Sequence, residues 1–303
     1  MRGRGDGTFD LARCARQNGF VLVTVGDLVE DVVVWLDGPP QRGTDTPARI
    51  RRRRGGSAAN VAAFAAAAGV ASRFIGQVGE DALGSILVDE LRRAGVDVCV
   101  RRAGRSGSIV VLVEPAGERT MLPDRGACTE LASIEDGWLD DVRVLHVPTY
   151  SLVVEPLAAA TMSAIAAAQA REAEVSIDVS SVDVVRAFGI ERYVALLVRL
   201  QPQWLFANED EHALLAPLLP GRLTATTVVI KRGPAPVVVR GAGLDVVVEV
   251  PPVTQVRDTT GAGDAFAAGF LSGRLDDRDV PSCVVDGIEL AQRVLRHPGA
   301  SWS

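Results

Sequence analysis

The sequence predicts an α/β fold in which helices cover both faces of a mainly parallel sheet. Short, apolar, β-branched runs alternate with longer helix-forming segments along most of the 303 residues, a pattern typical of parallel sheets. Two hairpin-like segments in the N-terminal half indicate, in addition, a small β-lid beside the main sheet. In such a fold, ligands bind beyond the carboxyl ends of the strands.

The N-terminal half begins with a buried strand at 20–25 that ends at Gly26-Asp27. A short strand at 32–35 then leads into a polar flap at 37–54. The remaining elements predicted in this half are helices at 61–68 and 81–93, strands at 72–75 and 96–100, and a hairpin that pairs 108–113 with 118–122. We therefore expect lid segments at about 32–54 and 106–122.

The C-terminal half continues the alternation of strand and helix. Its predicted strands are 143–147, 175–177, 204–206, 226–230 and 244–250. Its predicted helical segments are 155–172, 182–199, 208–219, 265–271 and 279–296. We interpret 20–303 as one domain that follows an N-terminal extension at 1–19.

Composition and charge argue against several classes of protein. Apolar residues make up 48% and charged residues 23% of the chain, as in a globular protein. The net charge of −6 argues against nucleic-acid binding, and no apolar run is long enough to span a membrane. The N-terminus lacks the apolar segment of a secretory signal, and the four cysteines form no CxxC pair. We therefore expect a cytoplasmic protein with reduced thiols.

A glycine-rich motif near the C-terminal end predicts an anion site. It runs from Asp258 to Phe266 and reads Asp-Thr-Thr-Gly-Ala-Gly-Asp-Ala-Phe, just before an Ala-rich helix. Gly261 and Gly263 allow the backbone to turn sharply, and the first N–H groups of the helix attract a phosphate. Asp264 lies beside these donors, where it would accept a proton from an attacking hydroxyl. The alternative is that Asp264 only caps the helix.

A second glycine pair, Gly55-Gly56, precedes the helix predicted at 61–68. Asn60 lies in its first turn, where its amide would reach a ligand on the glycine pair, and Ser57 is an alternative N-cap. The four arginines at 51–54 form either a solvated face or a positive rim that attracts an anionic substrate. Lys231 is the single lysine and follows no glycine, so a P-loop is excluded.

Three segments together resemble the ribokinase-like, or PfkB, family of sugar and nucleoside kinases. They are Gly55-Gly56 with Asn60, then Ala207-Asn-Glu-Asp-Glu211 directly after a strand, and the motif from Asp258 to Phe266. The resemblance implies a three-layer α/β/α ribokinase-like fold with a small β-lid. It also implies ATP near the C-terminal half of the sheet, Mg²⁺ as a cofactor, and a sugar or nucleoside acceptor under the lid.

The resemblance assigns the chemistry to the second motif. Asp264 is then the general base, and the backbone amides of Gly261, Ala262 and Gly263 form an anion hole for the transferred phosphoryl group. Phosphoryl transfer requires mainly positioning and neutralisation of the oxygen charge. A row of N–H groups at the start of a helix supplies both.

The resemblance also assigns the acceptor site. Asp27 and Asp31 follow the first strand and would accept hydrogen bonds from sugar hydroxyls. Gly55, Gly56 and Asn60 would contact the other side of the acceptor. A purely structural role, such as capping a loop, is the alternative for Asp31 and for Asn60.

The nucleotide residues implied by the resemblance are Asn208, Lys231, Gly233 and Thr259. Lys231 would direct a point charge at the β- or γ-phosphate, and Gly233 would allow close approach. Glu211 belongs to an Asn-x-x-Glu motif that is tied to Mg²⁺ through water. Without the resemblance, Asn208 and Glu211 are explained equally well as the N-cap and capping-box partner of a helix.

A K⁺ site is an additional implication of the resemblance, formed by Asp258 and the Thr260 carbonyl with residues near 299–300. The predicted helix at 279–296 is shorter than is usual in the family, so K⁺ dependence stays open. A homodimer that forms through the lid also stays open.

The acceptor is less well defined than the reaction. Trp35 would stack on either a nucleobase or a sugar, and Arg125 would pair with a substrate carboxylate or phosphate, or lie exposed. We favour a carbohydrate kinase that acts on a primary hydroxyl, with a nucleoside kinase as the alternative. A non-catalytic sugar sensor would not need Asp264. A dinucleotide-binding oxidoreductase would need GxGxxG after the first strand, where Gly26-Asp27-Leu28 stands.

Overall fold

The structure is a computed structural model that describes residue 19 and residues 21–297. The N-terminal extension predicted at 1–19, apart from Gly19, and the part of the predicted K⁺ site near 299–300 lie outside the described residues. No helix among the described residues is long and apolar enough to cross a membrane.

The described residues form two sheets and eight α-helices. The strands are β1 (Val21–Val25), β2 (Val29–Leu36), β3 (Ala48–Gly55), β4 (Ser72–Val78), β5 (Asp97–Arg102), β6 (Ser106–Val113), β7 (Arg119–Gly126), β8 (Val142–Pro148), β9 (Glu174–Asp178), β10 (Trp204–Asn208), β11 (Thr227–Lys231), β12 (Val237–Gly241) and β13 (Leu244–Val248). The helices are α1 (Ser57–Ala67), α2 (Ala82–Arg93), α3 (Leu157–Gln169), α4 (Val182–Phe188), α5 (Ile190–Leu200), α6 (Glu209–Leu215), α7 (Ala262–Leu275) and α8 (Val280–Leu295).

The large sheet has the strand order β13-β12-β11-β10-β9-β8-β1-β4-β5. Its pairs are parallel from β11 to β5, as predicted, whereas β12 and β13 are antiparallel at one edge. β12 was not predicted, because it follows β11 after a short turn rather than after a helix. Parallel strands end at the same edge, so the carboxyl ends of β1, β9, β10 and β11 lie together there.

Apolar side chains of the large sheet point alternately to two helix layers. Val23 belongs to a fully buried cluster with Ile165 of α3 and Leu197 of α5. The next residue toward the N-terminus, Leu22, belongs to a second cluster with Phe270 of α7. Because alternate residues of a strand face opposite sides, these runs can be apolar throughout only when helices cover both faces. The predicted three-layer arrangement is therefore confirmed.

The second sheet, called the small sheet below, has the order β3-β2-β6-β7. It consists of two antiparallel hairpins joined by a parallel β2–β6 pair. Two arginines of β7 join it to the main domain, because Arg119 bonds Asp258 and Arg125 bonds Asp27. The small sheet thus lies over the edge at which the strands of the large sheet end.

Helix boundaries differ from the predictions at two functional positions. α1 begins at Ser57, four residues earlier than predicted, and its N-cap is Gly56 with φ +101°. Ser57 is therefore the first helical residue and not a cap. α7 begins at Ala262, and its N-cap Gly261 is in the left-handed conformation with φ +78°. Both glycines adopt backbone conformations that side chains disfavour, so each helix starts closer to its glycine motif than the apolar pattern indicates.

We expect Gly56→Ala to destabilise the protein by about 3 kcal/mol or more, because the added Cβ requires a strained φ and would overlap the carbonyl oxygen of Asp27. Gly117→Ala is the matched control, because Gly117 also has a positive φ (+89°) but has nothing within 4 Å of its Cβ position. The control should lose only about 1 kcal/mol. Equal losses, measured by denaturant unfolding, would contradict the steric argument.

Candidate active site

The N-termini of α1 and α7 meet at the Asp264 carboxylate. Its Oδ1 accepts a hydrogen bond from Ser57 Oγ at 2.7 Å, and its Oδ2 accepts one from Asn60 Nδ2 at 2.9 Å. The two glycine-rich motifs, which are far apart in sequence, are therefore parts of one site. Asp264 lies in the first turn of α7 and is half-buried at the wall of a cleft of about 770 Å³.

The surroundings of Asp264 raise its pKa to about 6. Burial is the main cause, and the charge of Asp178 adds to it. The hydrogen bonds from Ser57 and Asn60 and the charge of Lys231 act in the opposite direction. A carboxylate with such a pKa is ionised at neutral pH and is a stronger base than an exposed aspartate.

Backbone amides at the start of α7 form a donor group beside this carboxylate. In the described structure, the amides of Gly261, Gly263 and Asp264 have no backbone partner, whereas the Ala262 amide donates to the Thr259 carbonyl at 3.2 Å. A ligand would thus compete with Thr259 for the Ala262 amide. The Asp264 amide is thus a further donor beside the amides of Gly261, Ala262 and Gly263 that were predicted from the sequence. Several unpaired N–H groups at a helix start are suited to bind an anion.

Lys231 lies against this donor group at the end of β11. Its Nζ is 3.4 Å from the position that a Cβ on Gly263 would occupy. It also forms an ion pair of 2.7 Å with Asp178 Oδ2 at the end of β9. Burial lowers the pKa of Lys231, but the neighbouring Asp178 outweighs this and raises it, so the ammonium group stays charged. Sequence reasoning missed Asp178, although its place directly after a predicted strand was a usable signal.

Asn208 and Glu211 form a complete capping box at the start of α6. The Glu211 amide donates to Asn208 Oδ1 at 2.8 Å, and the Asn208 amide donates to Glu211 Oε2 at 2.8 Å. The capping box that the sequence offered as an alternative role is therefore formed, and both residues also line the cleft. Burial and the nearby Asp178 raise the pKa of Glu211. Gly233 and Thr259 line the same cleft.

The acceptor residues predicted after β1 have different environments. Asp27 receives two hydrogen bonds from Arg125, at 2.7 and 2.8 Å, and Arg125 also donates to the Tyr150 carbonyl at 3.1 Å. Arg125 is thus neither exposed nor free for a ligand, which differs from both alternatives of the sequence analysis. Asp31 is half-buried and accepts no hydrogen bond from the described residues. Burial raises the pKa of Asp31 to about 6, against the lowering effect of Arg54.

Arg54 contacts the site. This contact was not predicted, because the four arginines at 51–54 were interpreted as one block. Its Nη1 donates to Asn60 Oδ1 at 3.1 Å, so Asn60 joins Arg54 to Asp264. Gly55 is next to Asp31, since an added Cβ would overlap the Asp31 carboxylate. Gly56, Asn60 and Asp31 therefore lie on the same side of Asp264 as the small sheet.

Asp258 and Thr260 interact with an arginine of the small sheet. Asp258 Oδ1 accepts hydrogen bonds from Arg119 Nη2 at 2.9 Å and from the amide and hydroxyl of Thr260 at 2.9 and 2.7 Å. Arg119 Nη1 also donates to Thr260 Oγ1 at 2.9 Å. A guanidinium thus neutralises the carboxylate that the resemblance assigned to K⁺. K⁺ dependence stays a prediction from the sequence.

The far end of the cleft is apolar. Its walls come from the segment after β13 and from α8, and they include Val250, Val253, Val256, Ile288, Ala291 and Leu295. These residues are scattered along the sequence and carry no motif, so this part of the site could not be predicted from the sequence. The cleft therefore has a polar end at Asp264 and an apolar end that would accept a flat ring.

Comparison with known proteins identifies the class. The family model described as pfkB family carbohydrate kinase matches residues 21–303. The chain is 32% identical over 279 residues, 86% of each chain, to a protein of Halopiger xanaduensis named ATP-dependent ribose-1-phosphate kinase. The chain belongs to the pfkB family and is a phosphotransferase of the carbohydrate kinase type that acts on an alcohol group.

Solved structures agree with the fold. The adenosine kinase from Sinorhizobium meliloti superposes with a TM-score of 0.83 at 24% identity, over 93% of this chain and 95% of that one. An E. coli protein described as ribokinase II, solved in complex with ATP and Mg²⁺, has a TM-score of 0.80 at 21% identity, over 93% and 94%. At these identities the comparisons establish the ribokinase-like fold with its mainly parallel sheet.

We expect Arg125→Gln to destabilise the protein by about 3 kcal/mol, because it leaves the Asp27 carboxylate buried without its partner. Arg105→Gln, directly before β6 of the same hairpin, is the matched control. Arg105 pairs with Asp124 at 2.6 Å, but more than 60% of both side chains is exposed, so its loss should cost less than about 1 kcal/mol. Unfolding in urea measures both; similar losses would mean that the Asp27 pair is no more important than a surface pair.

Proposed function

We propose that this protein transfers the γ-phosphoryl group of ATP to a hydroxyl, the primary CH₂OH, of a sugar or sugar derivative. The observation that supports this most directly is the position of Asp264. Its carboxylate is held by Ser57 and Asn60 beside unpaired helix amides and Lys231. A base, a donor group for phosphoryl oxygens and a cation thus meet in one cleft.

In the proposed reaction, Asp264 accepts the hydroxyl proton as the acceptor oxygen forms a bond to the γ-phosphorus. The bond between this phosphorus and the bridging oxygen of ADP breaks, and ADP retains its electron pair. The amides around Gly261 and Gly263 donate to the oxygens of the moving phosphoryl group, as its charge requires. Ser57 and Asn60 keep the carboxylate in the orientation that receives the proton.

The nucleotide would lie along the cleft. Lys231 is placed beside the amides of α7, where its charge would neutralise the β- and γ-phosphates. Gly233 and Thr259 would line the phosphate path, as would Asn208. The apolar end between the segment after β13 and α8 would hold the adenine ring, because a flat base binds between apolar walls.

Mg²⁺ fits the donor set at the centre of the cleft. Glu211 and Asp178 are carboxylates close enough to influence each other electrostatically, and Mg²⁺ is usually bound by one or two carboxylates while it keeps several waters. When bound, the ion would neutralise phosphate oxygens. We propose that Glu211 contacts it through water and that Asp178 holds Lys231 beside it.

The acceptor would bind under the small sheet. Asp31 has no hydrogen-bond donor among the described residues and would accept hydroxyls, with Gly55, which is next to Asp31, and Gly56 and Asn60 also contacting the acceptor. Asp27 would contribute through the Arg125 pair that holds it. A nucleoside acceptor is the alternative, but the guanidinium carbon of Arg49 lies 4.9 Å from the Trp35 ring centroid and competes for the ring surface that a base would use. The cytoplasmic location and the homodimer remain predictions from the sequence.

We expect Asp264→Asn to lower kcat by about 10²- to 10⁴-fold, the usual contribution of a general base, while KM for ATP changes little. Steady-state ADP release with the best acceptor measures this. Asp245→Asn, at an exposed carboxylate of β13 that pairs with Arg240 of β12, is the control and should retain full activity. Near-normal turnover of the Asp264 variant would exclude the proposed role of this carboxylate.

We expect kcat/KM to fall about tenfold per pH unit below about pH 6. The reason is that the raised pKa of Asp264, about 6, leaves the carboxyl protonated at lower pH, and a protonated carboxyl accepts no proton. Because Asp31 has a similarly raised pKa, the profile is also measured in Asp31→Asn. The acidic decline should persist in that variant. A decline that vanishes with Asp31 would assign the titration to Asp31 instead.

A further inference from the structure

Arg54 is a half-buried guanidinium that lacks a close carboxylate partner. It donates one hydrogen bond, to Asn60 Oδ1, and within the described part of the chain no carboxylate oxygen lies within 4.0 Å of it. Burial lowers its pKa, and Glu90, Asp264 and Asp31 oppose this only from a greater distance. A guanidinium has five N–H donors, so most of the donors of Arg54 are unused beside the acceptor site. A buried cation in this state is costly unless a ligand pairs with it.

The face of the small sheet that is directed at the cleft carries further arginines, two of which, Arg49 and Arg51, lie over the Trp35 ring. Arg49, Arg51 and Arg53 oppose Trp35, Val33 and Asp31 in the β2–β3 register, so these six side chains share one face. This face is the inner one, because Arg119 on the same face bonds Asp258 in the main domain. None of these three β3 arginines forms a salt bridge to another described residue. Asp31 is the one carboxylate at these six positions.

The opposite face of the same strand is different. Arg52 and Arg54 alternate with the inner arginines and therefore share that face in the β2–β3 register. Arg52 pairs there with Glu30 at 3.1 Å, whereas Arg54, directly before Gly55, bonds Asn60. Arg125, the residue for which the sequence suggested an anionic ligand, is already bonded to Asp27 and Tyr150. Among the described residues, the arginines of β3 without a carboxylate partner are therefore those of the inner face and Arg54. Arg53 lies opposite Asp31, and Arg54 is linked to Asp264 by two hydrogen bonds through Asn60.

We propose that the acceptor is an anionic sugar derivative, a sugar phosphate or a sugar acid, whose charged group is bound by Arg54, while Arg53 on the other face of β3 adds positive charge beside Asp31. This inference rests on the proposed kinase function and specifies its substrate class. The hydroxyl to be phosphorylated lies at Asp264, other hydroxyls lie at Asp31, and the anion lies on the arginines away from the carboxylates. Arg guanidinium groups bind phosphate and carboxylate in two parallel hydrogen bonds, which gives both affinity and orientation.

A different role for Arg54 makes a different prediction. If Arg54 only holds Asn60 in position for Asp264, its loss should lower kcat for every acceptor to the same extent. If Arg54 binds the substrate anion, its loss should raise KM for anionic acceptors alone. Comparison of KM and kcat for charged and neutral acceptors therefore separates the two roles.

The test is ADP release at constant ionic strength with acceptors that each retain a primary hydroxyl. The matched pairs are ribose with ribose 1-phosphate, fructose with fructose 6-phosphate, and glucose with gluconate, and adenosine represents neutral nucleosides. We expect kcat/KM to be at least about tenfold higher for an anionic acceptor than for its neutral partner. The phosphate and gluconate pairs show which anion is preferred.

The variants Arg54→Gln, Arg54→Lys and Arg52→Gln are then compared, with melting temperatures as a check of folding. Arg54→Gln should raise KM for the preferred anionic acceptor about tenfold or more and leave KM for ATP unchanged. Arg54→Lys should restore part of the affinity, since it keeps the charge. Arg52→Gln removes an exposed arginine on the same face of β3 as Arg54 that is already paired with Glu30, and this variant should behave like the wild type. If Arg54→Gln does not fold, Arg53→Gln answers the same question from the inner face.

Three outcomes would overturn the inference. A neutral sugar or adenosine that is turned over better than every anionic acceptor would exclude an anionic substrate and leave the kinase function intact. An Arg54→Gln variant that loses kcat equally for both classes would make Arg54 a positioning residue. A folded wild-type protein that releases ADP with none of these acceptors would contradict the proposed function itself, and this inference with it.

Discussion

The structure depends on the pair of hydrogen bonds that joins the Asp264 carboxylate to Ser57 and Asn60. Ser57 and Asn60 precede Asp264 by 207 and 204 positions in sequence, so the contact brings the two halves of the domain together. Both partners lie in the first turn of a helix that follows a glycine with a positive φ. A Cβ at Gly56 would overlap the Asp27 carbonyl oxygen, so glycine allows α1 to begin here, and the cleft forms where the two helix starts meet.

The charges around this contact are unequally satisfied. Asp27 with Arg125, and Asp178 with Lys231, are close ion pairs inside the site, so each keeps the other in place at a strand end. Asp31 and Arg54 have no such ion-pair partner within the part of the chain that the structure describes, although they belong to the same site. Since unpaired buried charges are unfavourable, the Asp27–Arg125 pair is expected to support the site, and Asp31 and Arg54 are expected to contact the acceptor.

The cleft also divides into regions of different chemistry. Cations and unpaired amides are concentrated near Asp264, whereas the walls formed by α8 and the segment after β13 are apolar. The small sheet covers the cleft from a further side. Its Arg119 bonds Asp258 and Thr260 in the loop that precedes α7. This arrangement would hold a nucleotide with its phosphates directed at Asp264 and would place the acceptor on the other side of the carboxylate. Phosphoryl transfer requires this in-line order.

The sequence by itself determined the fold class, the two glycine motifs and Asp264, because these depend on local backbone conformation and on periodic apolar patterns. Only the tertiary structure decided which charges meet. Arg125 pairs with Asp27, 98 residues away, and Lys231 pairs with Asp178, 53 residues away. Such pairs follow from strand order and register, which bring remote residues to one edge of the sheet. For the same reason, the arginines at 51–54 read as one block in sequence but divide between two faces of a strand and the active site.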